Sequence, residues 1–135
     1  MYVKKLQLKN FLSYTDGAVE FFDGLNIITG GNGFGKTNML EAVYLSSVGK
    51  SSRGTRDKDL IKWNTRGGAK VKIEIEKTYG KTTIETLLTE DGEKCVSIDS
   101  IPIAKMGELM GGLTAVLFSP SEMRLIKESP ADRRR

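Results

Sequence analysis

Residues 25–49 read LNIITGGNGFGKTNMLEAVYLSSVG, and the fold turns on how that run divides. Leu25-Asn26-Ile27-Ile28-Thr29 is a short apolar, β-branched run that stops abruptly at Gly30-Gly31-Asn32-Gly33-Phe34-Gly35, which predicts a strand entering a tight backbone turn. Four glycines in six positions leave main chain, not side chains, facing whatever the turn encloses. From Lys36 the period changes. Met39, Leu40, Val43, Ser46 and Ser47 recur at three- and four-residue spacing, which predicts a helix of about thirteen residues closed by Gly49.

Gly30 to Thr37, GGNGFGKT, satisfies the pattern G-x-x-x-x-G-K-[ST] between that strand and that helix. Each position has a separable role in holding a triphosphate. Gly30 permits the turn out of the strand, Gly31, Asn32 and Phe34 carry the loop round, and Gly33 and Gly35 let backbone N–H groups wrap phosphates with no Cβ in the way. Lys36 is expected to bridge the β- and γ-phosphates of ATP, and the Thr37 hydroxyl to ligate Mg²⁺ from the first helical turn. The positive end of the helix over 36–48 adds to both. The competing reading is a glycine-rich turn built for packing alone.

Tyr2 to Phe11 alternates as a strand, with a small slip between Val3 and Leu6, Leu8; Gly17 predicts a turn and Val19 to Phe22 a hairpin partner. Farther along, Val71 to Lys77, Thr82 to Thr89 and Lys94 to Ile98 predict an antiparallel meander with one wet face, turned at Asp91-Gly92. Ala104 to Met110 predicts a short amphipathic helix and Ala115 to Phe118 a buried strand. Ser119-Pro120-Ser121-Glu122 and Ser129-Pro130-Ala131-Asp132 both read as helix starts, with Ser at N-cap, Pro at N1 and a carboxylate at N3. Arg133 to Arg135 come one turn into the second, which predicts a piece of a longer protein.

The 135 residues, 39% hydrophobic and 28% charged, suit one soluble globular unit and exclude collagen-like, disordered and disulfide-built chains. Cys95 stands alone and histidine is absent, so neither a disulfide nor a Cys/His metal site is available. A reducing, cytoplasmic setting fits. Lys4, Lys5 and Lys9 interrupt the N-terminal apolar residues, excluding a signal peptide, and apolar runs of four exclude a membrane span. The net charge of +4 is local: residues 50–72 hold eight basic groups against Asp57 and Asp59, while residues 1–49 balance and residues 73–135 are net acidic. Such a field suits a polyanion, with Arg53, Arg56 and Lys58 as candidate DNA or phosphate contacts, or else belongs to a solvated loop. Trp63 and Tyr79 read as packing rather than base stacking, and Cys95 as a core filler.

Hydrolysis needs more than a cradle. After Lys36 no apolar strand ends in the carboxylates that would hold the metal's water and the general base, so nucleotide binding is expected and turnover by this chain alone is not.

MYVKKLQLKNFLSYTDGAVEF (1–21), GGNGFGKTNMLEAVYL (30–45), SSRGTRDKDLIKW (51–63) and VLFSPSEMRLIKESPADRRR (116–135) together resemble the N-terminal part of the RecF family of bacterial recombination and repair ATPases. The Asn10 to Tyr14 element and the loop are shared with the wider SMC and ABC-type ATPases, whereas the basic stretch and the terminal S-P-x-x-R-R-R are narrower. The resemblance implies an α/β fold, the P-loop lobe of an ABC-type ATPase head with an antiparallel β meander and short helices, whose signature loop and Walker B strand lie beyond Arg135. It implies ATP with Mg²⁺, an ATP-dependent homodimer, ATP-dependent DNA binding, and work with RecO and RecR in loading RecA at gaps during replication, repair and the SOS response. Leu12 stands where relatives usually have arginine, Ser52 where they have histidine, and Ser121 where they have glutamate. The energising subunit of a membrane transporter shares the loop, and so does a small-molecule kinase; the Asn10 to Tyr14 element and the basic excursion favour the DNA branch.

Overall fold

Residues 69–76, AKVKIEIE, alternate without a break, and the chain does what that pattern dictates. Ala69, Val71, Ile73 and Ile75 are buried on one face of a strand while Lys70, Lys72, Glu74 and Glu76 are half-exposed on the other. The structure, a computed structural model, describes residues 1–119. In it β1 (Tyr2–Phe11), β2 (Tyr14–Glu20), β3 (Ala69–Glu76), β4 (Lys81–Leu88), β5 (Lys94–Ile98) and β6 (Ile101–Pro102) form one sheet of order β2-β1-β3-β4-β5-β6. Every neighbouring pair is antiparallel.

Register places apolar rows across the strands. Leu6, Ile73, Ile84 and Ile98 stand opposite one another in turn, and beside them run Leu8, Val71, Thr86 and Val96. The slip in the N-terminal pattern is a bulge: the β1–β3 register shifts between Val3 and Lys5, and alternation resumes on the buried face at Leu6. The helix α1 (Lys36–Val48) lies against β3 and β4 with Ala42, Leu45 and Ser46 buried. Alanine and serine at these positions let the helix axis come close to the sheet. Thr86 Oγ1 is buried there with no hydrogen-bond partner. Thr86→Val keeps the shape and removes an unsatisfied hydroxyl, so it should raise stability to urea by about 1 kcal/mol with an unchanged denaturant slope.

The structure departs from expectation at several places. Leu25 to Thr29 forms no strand: no described strand lies alongside to take its hydrogen bonds, and Leu25 and Ile27 are 88% and 76% exposed. Ala115 to Phe118 is likewise extended without a ladder, with Val116 and Phe118 exposed. Gly17 lies inside β2, paired with Leu8, because the reversal comes earlier, at Leu12 and Ser13. The 104–110 helix is reduced to a 3₁₀ turn, Met106–Leu109. Met39 and Val43 are only half-buried and Leu40 is exposed, so the buried side of α1 is not the stripe read from spacing. Trp63, Tyr79 and Cys95 are all exposed, not packed. The two Ser-Pro helix starts and Arg133 to Arg135 lie outside the described residues, apart from Ser119.

The segment between α1 and β3 is an excursion, but a pinned one. A 3₁₀ turn, Asp57–Leu60, buries Leu60, and Leu12 N donates to Leu60 O at 2.8 Å while Lys62 N donates to Asn10 O at 2.8 Å. These bonds fix residues 60–62 against the end of β1, close to the residues that support the glycine loop.

Candidate functional site

The loop from Gly30 to Gly35 is curled. Gly30, Gly33 and Gly35 take φ of +149°, +84° and +88°, backbone that L side chains rarely adopt, and Gly35 leads directly into α1. Asn38 N and Met39 N both donate to Gly35 O, at 2.9 and 3.1 Å. The first turn of α1 carries no side-chain cap and no acidic residue, so its positive end is not neutralised by the chain itself. The Lys36 ammonium folds back over the loop and donates to Gly30 O at 2.7 Å and Gly31 O at 2.5 Å. Thr37 and Asn32 are exposed, and the exposed Phe34 ring folds over Gly31, which has no Cβ to obstruct it. The loop therefore offers free amides, one ammonium and one hydroxyl at a single place. That set is complementary to a phosphate chain and its counter-cation.

The β1–β2 turn holds this loop from below. Tyr14 Oη donates to Gly35 O at 3.1 Å, and burial raises the Tyr14 phenol above its usual range, so it stays protonated as a donor. Asn38 Nδ2 donates to Ser13 Oγ at 2.8 Å. On its other side Asn38 Oδ1 accepts from Arg53 Nη2 at 2.8 Å, which brings the basic segment to the residue next to Thr37. The Asn10 to Tyr14 element, the loop and Arg53 thus meet around the first turn of α1.

Glu41 was not legible as a site residue. It is 2% exposed on α1, and its carboxylate accepts from Ser51 Oγ at 2.5 Å, Ser52 N at 3.0 Å and Ser52 Oγ, with Arg53 Nε 3.9 Å away. A buried carboxylate needs such partners. Here they are supplied by the start of the basic segment, which is thereby tied to the helix that follows the loop. Glutamate on a helix beside apolar residues looks solvent-facing by composition; only the packing identifies the serines that receive it.

The other candidate cations are placed differently. Arg56 pairs with Asp59, Nε to Oδ2 at 3.0 Å, and this bond holds the Asp59 carboxyl below its ordinary range. Lys58 is exposed on the same 3₁₀ turn. Lys62 Nζ donates to Ser13 O at 3.1 Å and Thr15 Oγ1 at 2.6 Å, and Asp57 is taken by Lys94 at 2.7 Å. Among the described residues no cluster of three acidic, histidine or cysteine side chains is positioned to hold a metal ion. A cation at the loop would rest on Thr37 and on oxygens of its own ligand.

Comparison with known proteins agrees with this geometry. Residues 5–119 match the AAA domain family. The chain is 43% identical over all 135 residues to the DNA replication and repair protein RecF of Clostridium kluyveri and 42% identical to that of Clostridium botulinum, spanning 37% of the length of each. A solved structure of the recombination mediator protein RecF with ATP, in the RecFOR pathway, superposes with a TM-score of 0.89 at 32% identity, over 98% of this chain and 36% of that one. An SMC ATPase structure shares the fold, with a TM-score of 0.80 at 24% identity over 99% of this chain and 96% of that one.

Proposed function

The chain belongs to the AAA domain family and is homologous to RecF, and on that premise we propose that it is the nucleotide-binding part of a RecF-like DNA replication and repair protein. The observation that supports the reading is the curled loop itself, with Lys36 seated on the Gly30 and Gly31 carbonyls at the uncapped start of α1. Gly30, Gly31, Asn32, Gly33, Phe34 and Gly35 provide the main-chain cradle for the phosphates of ATP. Lys36 would exchange its two carbonyls for phosphate oxygens, and the exposed Thr37 hydroxyl would supply one ligand to Mg²⁺, which when bound would neutralise phosphate charge. This chain spans 37% of the length of its RecF relatives, so turnover, homodimerisation around ATP and action with RecO, RecR and RecA are proposed for the whole protein. So are a place in the SOS response and a cytoplasmic location; no described helix is long and apolar enough to cross a membrane.

DNA is the polyanion proposed for the basic segment. Arg53 is its link to the nucleotide, since it reaches Asn38 beside Thr37, while Arg56 and Lys58 stand farther along on an exposed turn. If three to five cations of residues 50–72 touch duplex phosphates, log K should fall with log salt at a slope of roughly −3 to −5. Replacing Arg53, Arg56 and Lys58 with alanine should flatten that slope, measured by anisotropy of a labelled duplex across a salt series. A flat response in the parent chain, or unchanged binding in the triple variant, removes the assignment.

A further inference from the structure

Trp63 is 88% exposed, although a tryptophan in a sequence with strand-forming neighbours belongs inside. It stands on the rim of a cleft of about 480 Å³ that Lys58, Asp59, Ile61, Lys62, Asn64, Thr65 and Glu90 also line. Its position is fixed rather than incidental. Ile61 bridges Phe11, Lys62 N is bonded to Asn10 O, and Thr65 Oγ1 donates to Lys62 O at 2.6 Å, so the backbone on both sides of Trp63 is held while the ring is left outside. Asn64 takes a φ of +58°, which turns the chain immediately after the ring.

The charges around the ring decide what it faces. Lys58 and Lys62 line the cleft, and Arg56 and Arg66 flank it in the chain. Asp59 is paired with Arg56, while Glu90, which accepts from Gly67 N at 2.6 Å, keeps its charge on the rim, and Lys62 Nζ is turned to Ser13 O and Thr15 Oγ1. A large flat aromatic face beside Lys58 and Arg66, both exposed and in no ion pair among the described residues, complements a ligand with a flat π-face on an anionic backbone. We infer that Trp63 and its cleft form a stacking site for an unpaired base of DNA, a specificity that rests on the DNA-binding reading above and refines it. Duplex DNA hides its base faces in its own stack; a single strand or a frayed end presents them.

Trp63 is the single tryptophan of the chain, so intrinsic fluorescence reports this position alone. The 135-residue chain is titrated at low salt with labelled oligothymidylate and with a duplex closed by hairpins at both ends, and label anisotropy and tryptophan emission are followed together. Both DNAs should raise anisotropy, and the single strand should quench emission far more strongly. Trp63→Ala should weaken single-strand binding by about five- to a hundredfold, leave duplex binding nearly unchanged, and be largely rescued by Trp63→Phe. Because the ring is outside the core, circular dichroism of the variants should match the parent. Anisotropy that rises with constant tryptophan emission, or Trp63→Ala binding the single strand as the parent does, overturns the stacking site and hands the ring to another occupant such as a protein surface. No anisotropy change with either DNA brings down the DNA-binding reading, and the stacking site with it.

Discussion

Lys36→Ala should abolish the heat of Mg·ATP binding in a calorimetric titration in which the parent chain gives a measurable isotherm. The Lys36 ammonium has two partners, the carbonyls of Gly30 and Gly31, and both belong to the loop. Binding of a triphosphate replaces two neutral acceptors with charged ones at a helix terminus whose first turn contains no acidic residue. Charge-assisted hydrogen bonds contribute about 1.5–3 kcal/mol each, so losing contacts to two phosphates should weaken binding by a factor on the order of a hundred to ten thousand or more. The side chain is half-exposed and takes no part in the buried core, so the variant's unfolding midpoint should stay close to that of the parent. Equal heats from the two proteins would refute the nucleotide site.

α1 and four strands could be read from the sequence, α1, β1 and β5 to the residue and β3 and β4 to within two, because each rests on a local cause. Lys36–Val48 begins where glycine gives way to helix formers and ends at Gly49, whose φ of +72° suits a left-handed cap. Residues 69–76 alternate, and alternation needs only one buried face. Leu25 to Thr29 failed for the opposite reason: composition can favour a strand, but a strand exists only with a neighbour, and none of the described strands lies beside it. Leu25, Asn26 and Ile28 of the same segment, with Phe22, Met39, Leu40 and Val43, line an open apolar groove of about 390 Å³. This explains why the apolar spacing of α1 misidentified its buried side. The helix carries apolar residues toward two directions, the sheet and this groove.

At the site, the loop was legible because its motif is contiguous. Its supports were not. Ser13, Tyr14 and Asn38 meet around Gly35, and Glu41 gathers the start of the basic segment, through contacts between residues 21, 25 and 10 positions apart in the chain, and no period or spacing encodes such meetings. In the sequence Ser52 stands out only as a departure from the RecF pattern; in the fold its amide and hydroxyl both serve Glu41. Trp63 misled for a related reason, since its neighbours Ile61 and Thr65 anchor the backbone and leave the ring free.

Gly35→Ala should be the most damaging single-methyl change in the loop, and its comparison with Gly33→Ala separates strain from support. Both glycines have left-handed φ, +84° at Gly33 and +88° at Gly35, so alanine at either costs about 1–2 kcal/mol of backbone strain. At Gly33 a Cβ would meet nothing within 4 Å, and strain is the whole penalty. At Gly35 it would lie 2.8 Å from Ser13 Oγ and 2.9 Å from the Tyr14 ring, forcing apart the β1–β2 turn and the start of α1. Overpacking of this kind adds about 1–3 kcal/mol, which brings the total to roughly 2–5 kcal/mol, a large part of the stability of a chain of this size. The clash should break the Tyr14 hydrogen bond to Gly35 O and push the ring outward, and because burial is what raises its phenol, Tyr14 ought to titrate closer to its ordinary range in the variant. Urea unfolding of the two variants is the deciding measurement. A Gly35→Ala midpoint well below that of Gly33→Ala, with nucleotide binding lost, establishes that the Asn10 to Tyr14 element braces the loop; equal midpoints would mean that the loop stands without it.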